Sequence, residues 1–129
     1  MVLPLTFYGN PVLREKGAAV ESVTPELEEF IDNMFETMAE YRGIGLAAQQ
    51  VGRAIQLTVI DIRAAENRPS TLEIDGGTAD PNSLMPLVLI NPEVTPLNDP
   101  VSGSEGCLSF PEIYGDVTRP EQVRVKAMD

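Results

Sequence analysis

The chain has 129 residues, which is enough for one domain with a sizeable hydrophobic core. Its 43% hydrophobic and 22% charged residues are ordinary for a globular protein. The 20 acidic residues outnumber the 9 basic ones, and the net charge of −11 argues against nucleic acid and anionic membranes as partners.

The cysteine and histidine counts limit the fold classes and sites that the chain can form. The chain contains one cysteine and no histidine. A single cysteine cannot form an internal disulfide, so a secreted, disulfide-stapled fold has no support. The first residues lack the basic and apolar regions of a signal peptide, and no stretch approaches the roughly 20 apolar residues of a membrane span. We therefore expect a single cytoplasmic domain over residues 1–129.

The clearest predicted element is a helix over residues 25–41. Thr24 suits the N-cap and Pro25 the first helical position, and acidic residues follow at the positive end of the helix dipole. Apolar residues recur on one helical face, at Leu27, Phe30, Ile31, Met34, Met38 and Tyr41. Gly43 is expected to end the helix.

Alternating apolar residues predict strands over residues 54–62, 86–94 and 122–129. Asn91-Pro92 is expected to end the second of them, and a further segment surrounds Cys107. Residues 63–83 are predicted to form a long loop with a short strand at 72–74. A loop of that length in a compact domain is usually functional or mobile.

The stretch GIGLAAQQVG, residues 43–52, concentrates small residues. Taken alone, it is typical of a turn that lets backbone pack closely. A dinucleotide-binding fingerprint requires a strand before the glycines and a helix after them, and the predicted order here is the reverse. Gly43 and Gly45 thus indicate exposed backbone amides and close approach, without identifying a ligand.

The stretch SEGCLSFPE, residues 104–112, holds Cys107. As a nucleophile, Cys107 would normally need a neighbouring base such as histidine. As a disulfide partner, it could act only between chains. As a buried small hydrophobe, it would need no explanation, which is the commonest case for an isolated cysteine. As a metal ligand, it would be a thiolate and would require further ligands. The residues alone leave these roles open.

Together the two stretches resemble the peptide deformylase family. That family carries GxGxAAxQ, then EGCxS, then HExxH on a helix. This chain has the first motif at residues 43–50 and the second at residues 105–109, and its segments YGNPVLR and RVKAMD also look like deformylase sequence. The resemblance covers nearly all of the chain. The third motif is absent, so the sequence looks like a deformylase truncated before its metal-binding helix.

The resemblance implies an α+β fold of short antiparallel strands around a helix, here lacking the C-terminal metal-binding helix. The sheet would then face a gap. We expect low stability, exposed apolar surface and self-association from such an incomplete domain.

The resemblance also implies an enzyme that hydrolyses the N-formyl group from the formyl-methionine of nascent polypeptides, which would be its partners. In the family, iron(II), replaceable by zinc, nickel or cobalt, is held by one thiolate and two imidazoles and activates a water. Cys107 matches the thiolate. Both histidine ligands and the general-base glutamate are absent from this chain, so we expect that it does not retain the metal.

Matching positions imply roles for residues in both motifs. Attack on the formyl carbon places negative charge on the formyl oxygen, to which the Gln50 side-chain amide and the Leu108 backbone N–H would donate. Gly43, Ile44 and Gly45 would bind substrate: the backbone around Ile44 and Gly45 would pair with the extended peptide, and the Ile44 side chain would line the methionine pocket. Glu105 and Arg119 are candidates for a supporting ion pair, or are solvated surface charges.

Two interpretations of the polypeptide remain. The first is an incomplete copy of the enzyme, which alone does not hydrolyse formyl-peptides. The second is a natural non-catalytic deformylase-like protein that binds peptides. Because a binding protein has little reason to keep oxyanion donors, the retention of Gln50 and of the EGCLS run favours the first. A bacterial-type cytoplasmic protein is expected, with an organellar source left open.

Overall fold

The computed structural model describes the backbone of residues 1–63, 72–74, 77–79, 85–107 and 110–128, and the side chains of residues 1–63 and 85–96. A short 3-10 turn and one long helix precede most of the strands. In chain order the elements are η1 (Pro11–Arg14), α1 (Pro25–Glu40), β1 (Gly45–Ala47), η2 (Ala48–Val51), β2 (Leu57–Ile60), β3 (Leu72–Ile74), β4 (Gly77–Ala79), β5 (Leu87–Cys107) and β6 (Phe110–Met128).

Four of the strands form an antiparallel sheet in the order β1-β2-β5-β6. In this sheet Gly45 lies opposite Ile60, and Leu57 lies opposite Ile90. Strands β3 and β4 form a separate antiparallel pair. One long helix beside an antiparallel sheet confirms the predicted α+β class. No helix in the described part of the chain combines the length and the apolarity needed to cross a bilayer.

Helix α1 confirms the helix predicted over residues 25–41. The Thr24 hydroxyl caps it by accepting a 3.1 Å hydrogen bond from the N–H of Leu27, and Pro25 occupies the first turn. Its apolar face supplies three of the eight buried apolar residues of the hydrophobic core, and β1, η2, β2 and β5 supply the other five. The buried apolar residues are Leu27, Met34, Met38, Leu46, Ala48, Leu57, Val59 and Ile90.

The helix ends one residue earlier than predicted, and the residue that ends it is different. The N–H of Gly43 donates to the carbonyl of Met38, and the N–H of Arg42 donates to that of Ala39. This is a Schellman motif, in which the residue after the C-cap adopts the left-handed conformation. That residue is Arg42, with φ of 57°, whereas Gly43 only supplies an amide.

Strand β2 is shorter than the strand predicted over residues 54–62. The first residues of the predicted strand contact the N-terminal segment instead. The N–H of Ala18 donates to the carbonyl of Ala54, and the N–H of Gln56 donates to the carbonyl of Ala18. An isolated parallel bridge joins Ala18 to Ile55. The alternating apolar pattern therefore included residues 54–56, which pair with Ala18 of the N-terminal segment and do not belong to β2.

Strand β5 contradicts the prediction that Asn91-Pro92 ends a strand over residues 86–94. It continues to Cys107 because an irregularity in the β5–β6 register, between Ile90 and Glu93, absorbs the disruption. Asn91 adopts a left-handed conformation there, with φ of 52°. Residues 122–128 of the strand predicted over 122–129 lie in the longer β6, residue 129 lies outside the described residues, and the short strand predicted at 72–74 is β3. The rest of the predicted loop, apart from residue 63 and β4, lies outside the described residues.

Candidate functional site

The small-residue stretch at 43–52 is a strand followed by a 3-10 turn, which corrects its interpretation as a turn alone. Strand β1 lies at the edge of the sheet in the described part of the chain. The carbonyl of Ile44 accepts a 2.9 Å hydrogen bond from the N–H of Asp61, just beyond β2. Because backbone groups alternate along a strand, the N–H and carbonyl of Gly45 point to the opposite side. The geometry therefore presents the Gly45 backbone on the outer edge.

Gly45 has no steric reason within the described fold to be glycine. A Cβ atom placed on it would lie 3.9 Å from the carbonyl oxygen of Val59, an ordinary contact. At Gly17, by contrast, a Cβ atom would lie only 2.9 Å from the backbone carbon of Ile55. Gly17 is thus required by packing, whereas Gly45 leaves open surface that a ligand backbone can approach closely.

Gln50 is held by the backbone of its own segment. It is the third residue of η2, and its Oε1 accepts a 2.9 Å hydrogen bond from the N–H of Ala47, the N-cap. This is the return half of a capping box. Since the amide oxygen is engaged by Ala47, the amide nitrogen, which carries two donors, is on the other branch of the side chain. The hydrogen bond from Ala47 therefore fixes the orientation of the Gln50 side-chain amide next to β1.

The segment that carries Gln50 is held by packing against the hydrophobic core and α1. Leu46 and Ala48 are buried in the core against α1. The turn closes at Gly52, which has φ of 92°, and the N–H of Arg53 donates to the carbonyl of Ala48. Cζ of Arg53 lies 4.5 Å from the centre of the Phe30 ring on α1, a cation–π contact. These contacts attach η2 to the helix.

A charged pair lies next to Ile44, at the end of β2. Nε and Nη2 of Arg63 donate to the two carboxylate oxygens of Asp61, over 2.9 and 2.6 Å. The hydrogen bond from Arg63 lowers the pKa of Asp61 below its usual value. Asp61 is therefore ionised at neutral pH, and the Arg63 charge is matched locally.

The predicted site residues fall into two groups. Gly43, Ile44, Gly45 and Gln50 lie in one segment, and Ile44 is 45% exposed. Cys107 is described by its backbone alone, as the last residue of β5, opposite Phe110. Its thiol and the whole of Leu108 lie outside the described residues.

The candidate ion pair is not adjacent in the sheet. Glu105 lies opposite Gly115, and Arg119 lies opposite Val101, so the two occupy different positions along the β5–β6 ladder. Their side chains lie outside the described part of the chain, and the pair stays a prediction.

The described side chains include no group of three or more His, Cys, Asp or Glu residues placed to hold a metal ion together.

The sequence did not predict two residues that contact residues 43–52, Thr6 and Asp61. Thr6 donates its backbone N–H to the carbonyl of Gln50 and its hydroxyl to that of Gln49. An isolated threonine in an irregular segment carries no pattern that could have revealed this contact.

Comparison with known proteins gives one consistent family. The family model described as polypeptide deformylase matches residues 2–129. The chain is 45% identical over 129 residues to a peptide deformylase of Methylacidiphilum infernorum, covering all of this chain and 67% of that protein. It is 44% identical over 131 residues to one of Opitutus terrae, covering all of this chain and 68% of that protein.

A solved structure agrees with these sequence matches. The crystal structure of peptide deformylase from Thermotoga maritima superimposes with a TM-score of 0.79 at 32% sequence identity. The match covers all of this chain and 75% of that one. The chain thus spans about two thirds of the length of these curated relatives and three quarters of the solved structure.

Proposed function

Because the chain belongs to the peptide deformylase family, we propose that it forms the part of the enzyme that binds a formyl-methionyl peptide and stabilises charge on the formyl oxygen. The reaction is hydrolysis of the formyl–nitrogen amide bond of nascent polypeptides in the cytoplasm. The observation that carries the proposal is the fixed Gln50 amide beside the outer edge of β1.

The outer edge of β1 is the proposed peptide-binding surface. An extended peptide can add to a sheet edge through backbone hydrogen bonds, with alternate side chains entering pockets. The Gly45 N–H and carbonyl supply one such donor and acceptor, and glycine lets the peptide backbone approach without a side chain in the way. The exposed Ile44 side chain would line the pocket for the methionine.

Gln50 is the proposed donor to the formyl oxygen. Its oxygen accepts from the N–H of Ala47, and its amide nitrogen is the group proposed to donate to the substrate. As water adds to the formyl carbon, charge develops on the formyl oxygen, and a positioned N–H stabilises it without reorganisation. Removing one such donor typically costs about 2.7–4 kcal/mol of transition-state stabilisation. The Leu108 backbone N–H is the proposed second donor, by its position in the EGCLS motif.

The residues of this chain do not by themselves fit the metal that the family resemblance implies. The resemblance supplies one thiolate, Cys107, and the sequence has no histidine to complete a site. The proposed role of these residues is therefore substrate binding and charge stabilisation, and activation of the water is assigned to none of them.

Peptide affinity tests the proposal. A formyl-methionyl tripeptide and the same tripeptide with a free amine are titrated into the protein by calorimetry. Gln50→Ala is expected to weaken the formyl peptide about fivefold, the loss of one neutral hydrogen bond of about 1 kcal/mol, and to leave the free-amine peptide unchanged. Gln49→Ala is the matched control, because the Gln49 amide contacts the carbonyl of Glu15 instead. Equal effects of both variants on both peptides would refute the role of Gln50.

Hydrolysis by residues 1–129 alone is expected to be undetectable, and the dialysed polypeptide is expected to retain no stoichiometric iron, nickel, zinc or cobalt. The reason is the lack of imidazole in these residues. Formate release with added metal, together with metal analysis after dialysis, checks both points. Metal-dependent turnover by the pure polypeptide would contradict them. An in-frame HExxH after codon 129 of the source gene would favour the enzyme over a non-catalytic peptide-binding protein.

A further inference from the structure

The N-terminal segment crosses the 3-10 turn that carries Gln50. The backbone N–H of Thr6 donates to the carbonyl of Gln50 over 2.8 Å, and its hydroxyl donates to the carbonyl of Gln49 over 2.9 Å. One residue thus binds two successive carbonyls of η2 with both of its donors. No other described part of the N-terminal segment makes this pair of contacts.

The same segment is anchored to α1 three residues earlier. The N–H of Leu3 donates to the hydroxyl of Thr37 over 2.7 Å, and Thr37 is fully buried. Leu3 and Leu5 pack against the hydrophobic core. Thr6 is therefore held in a fixed position relative to the helix, and it can transmit that position to η2.

A 3-10 turn of four residues has few hydrogen bonds of its own, and their geometry is poorer than in an α-helix. The Gln49 carbonyl also accepts from the N–H of Gly52, at 3.1 Å, so it is bound from within the turn and from Thr6. Contacts from outside the turn therefore add to the hydrogen bond from Ala47 in fixing Gln50.

We propose that Thr6 is a positioning residue for Gln50: its hydroxyl and amide fix the η2 backbone so that the Gln50 side-chain amide faces the formyl oxygen of the substrate. Thr6 does not touch the substrate in this role. The expected effect of Thr6 on binding of the formyl peptide rests on the proposed function. The expected effect of Thr6 on the orientation of the Gln50 side chain does not.

Thr6→Val tests the hydroxyl specifically. Valine has nearly the same shape and keeps the backbone N–H, so only the hydrogen bond to Gln49 is lost. Thr6→Ser restores a hydroxyl and is the rescue variant. Thr6→Ala replaces the valine variant should that fail to fold. Two quantities are measured in each: the NMR signals of the Gln50 side-chain NH₂ group, and the ratio of affinities for the formyl and free-amine tripeptides.

The proposal expects the Gln50 NH₂ signals of Thr6→Val to shift or broaden towards those of a mobile glutamine, with the serine variant close to wild type. The formyl preference is expected to fall by up to about fivefold in the valine variant and to recover with serine. Unchanged Gln50 signals with lowered thermal stability would overturn the proposal and leave Thr6 a structural residue.

The two readouts separate the inference from the proposed function. If the wild-type protein shows no preference for the formyl peptide, the proposed function fails, while a changed Gln50 signal in Thr6→Val still supports positioning by Thr6. If the preference exists and Thr6→Val leaves both it and the Gln50 signals intact, the inference alone fails.

Discussion

A single buried hydroxyl joins the N-terminal segment to α1. Thr37 accepts a hydrogen bond from the N–H of Leu3 and donates one to the carbonyl of Asn33, both over 2.7 Å. Thr37 is fully buried, whereas Leu3 and the hydrogen bond that joins them are only partly buried. Thr37 therefore supplies the acceptor for a backbone donor of the N-terminal segment.

Thr37→Val is expected to lower the free energy of unfolding by about 0.5–1.5 kcal/mol, the net contribution of a typical hydrogen bond, because the Leu3 N–H loses its acceptor. Urea denaturation followed by circular dichroism measures the change. Thr37→Ser, which keeps the hydroxyl, is the control and is expected to lose less. Equal stabilities for the valine variant and the wild type would show that the hydrogen bond contributes nothing.

For individual residues, sequence patterns predict the burial of apolar side chains well and the burial of hydroxyl groups poorly. The apolar face of α1 was predicted because its side chains recur with the helical period, and Leu27, Met34 and Met38 are indeed buried. Thr37 lies on the same helix but gives no such signal, since a threonine in a helix can equally face solvent. Its partner, Leu3, is 34 residues away.

At the scale of elements, β1 shows why short strands escape prediction. Its three residues, Gly45, Leu46 and Ala47, have no strand preference of their own and too few positions for alternation. Pairing with β2 makes them a strand, and that partner is separated from them by η2. The motif could be recognised from the sequence, but its backbone direction, which places Gly45 on the outer edge, could not.

Gly45→Ala and Gly17→Ala form a matched pair of tests for that edge. At Gly45 the added methyl group meets only an ordinary contact, so stability is expected to stay within about 0.5–1 kcal/mol of wild type or to rise. Affinity for the formyl tripeptide is expected to fall, because the methyl group hinders close approach of the peptide backbone. Thermal unfolding and calorimetry measure the two quantities.

Gly17→Ala is expected to behave in the opposite way, with a clear loss of stability, because the methyl group would lie 2.9 Å from the backbone of Ile55. Peptide affinity of the folded protein is expected to be unchanged. The account of the edge fails if Gly45→Ala destabilises the fold as much as Gly17→Ala while leaving peptide affinity intact.

Strand β5 illustrates the limit of local stop signals. Asn91-Pro92 is a typical turn dipeptide, but the strand passes through it because Asn91 is held from outside. Its amide oxygen accepts from the N–H of Val20 over 2.7 Å, and its amide nitrogen donates to the carbonyl of Val20 over 2.9 Å. Such a contact spans 71 residues of sequence and cannot be inferred from the dipeptide alone.

For the whole molecule, the sequence was sufficient to predict the α+β class and the family, because two motifs in the right order carry the resemblance. The described site contains the first motif, at residues 43–50, in one segment that packs against the core with α1. The second motif supplies the proposed metal ligand and second donor, Cys107 and Leu108, whose roles stay predictions. The expected self-association also stays a prediction. Phe7, Tyr8 and Val94 are exposed hydrophobic residues of the kind that it would use.

Hydrogen exchange at residues 43–50, followed by NMR with and without the formyl-methionyl tripeptide, tests the central claim most directly. The claim is that the outer edge of β1 binds the start of a formyl-peptide. The Gly45 N–H faces that edge, so its exchange is expected to slow on peptide binding, while the N–H of Leu46, which faces β2, changes little. Binding of the peptide without protection at Gly45, or with protection confined to another strand, would contradict it.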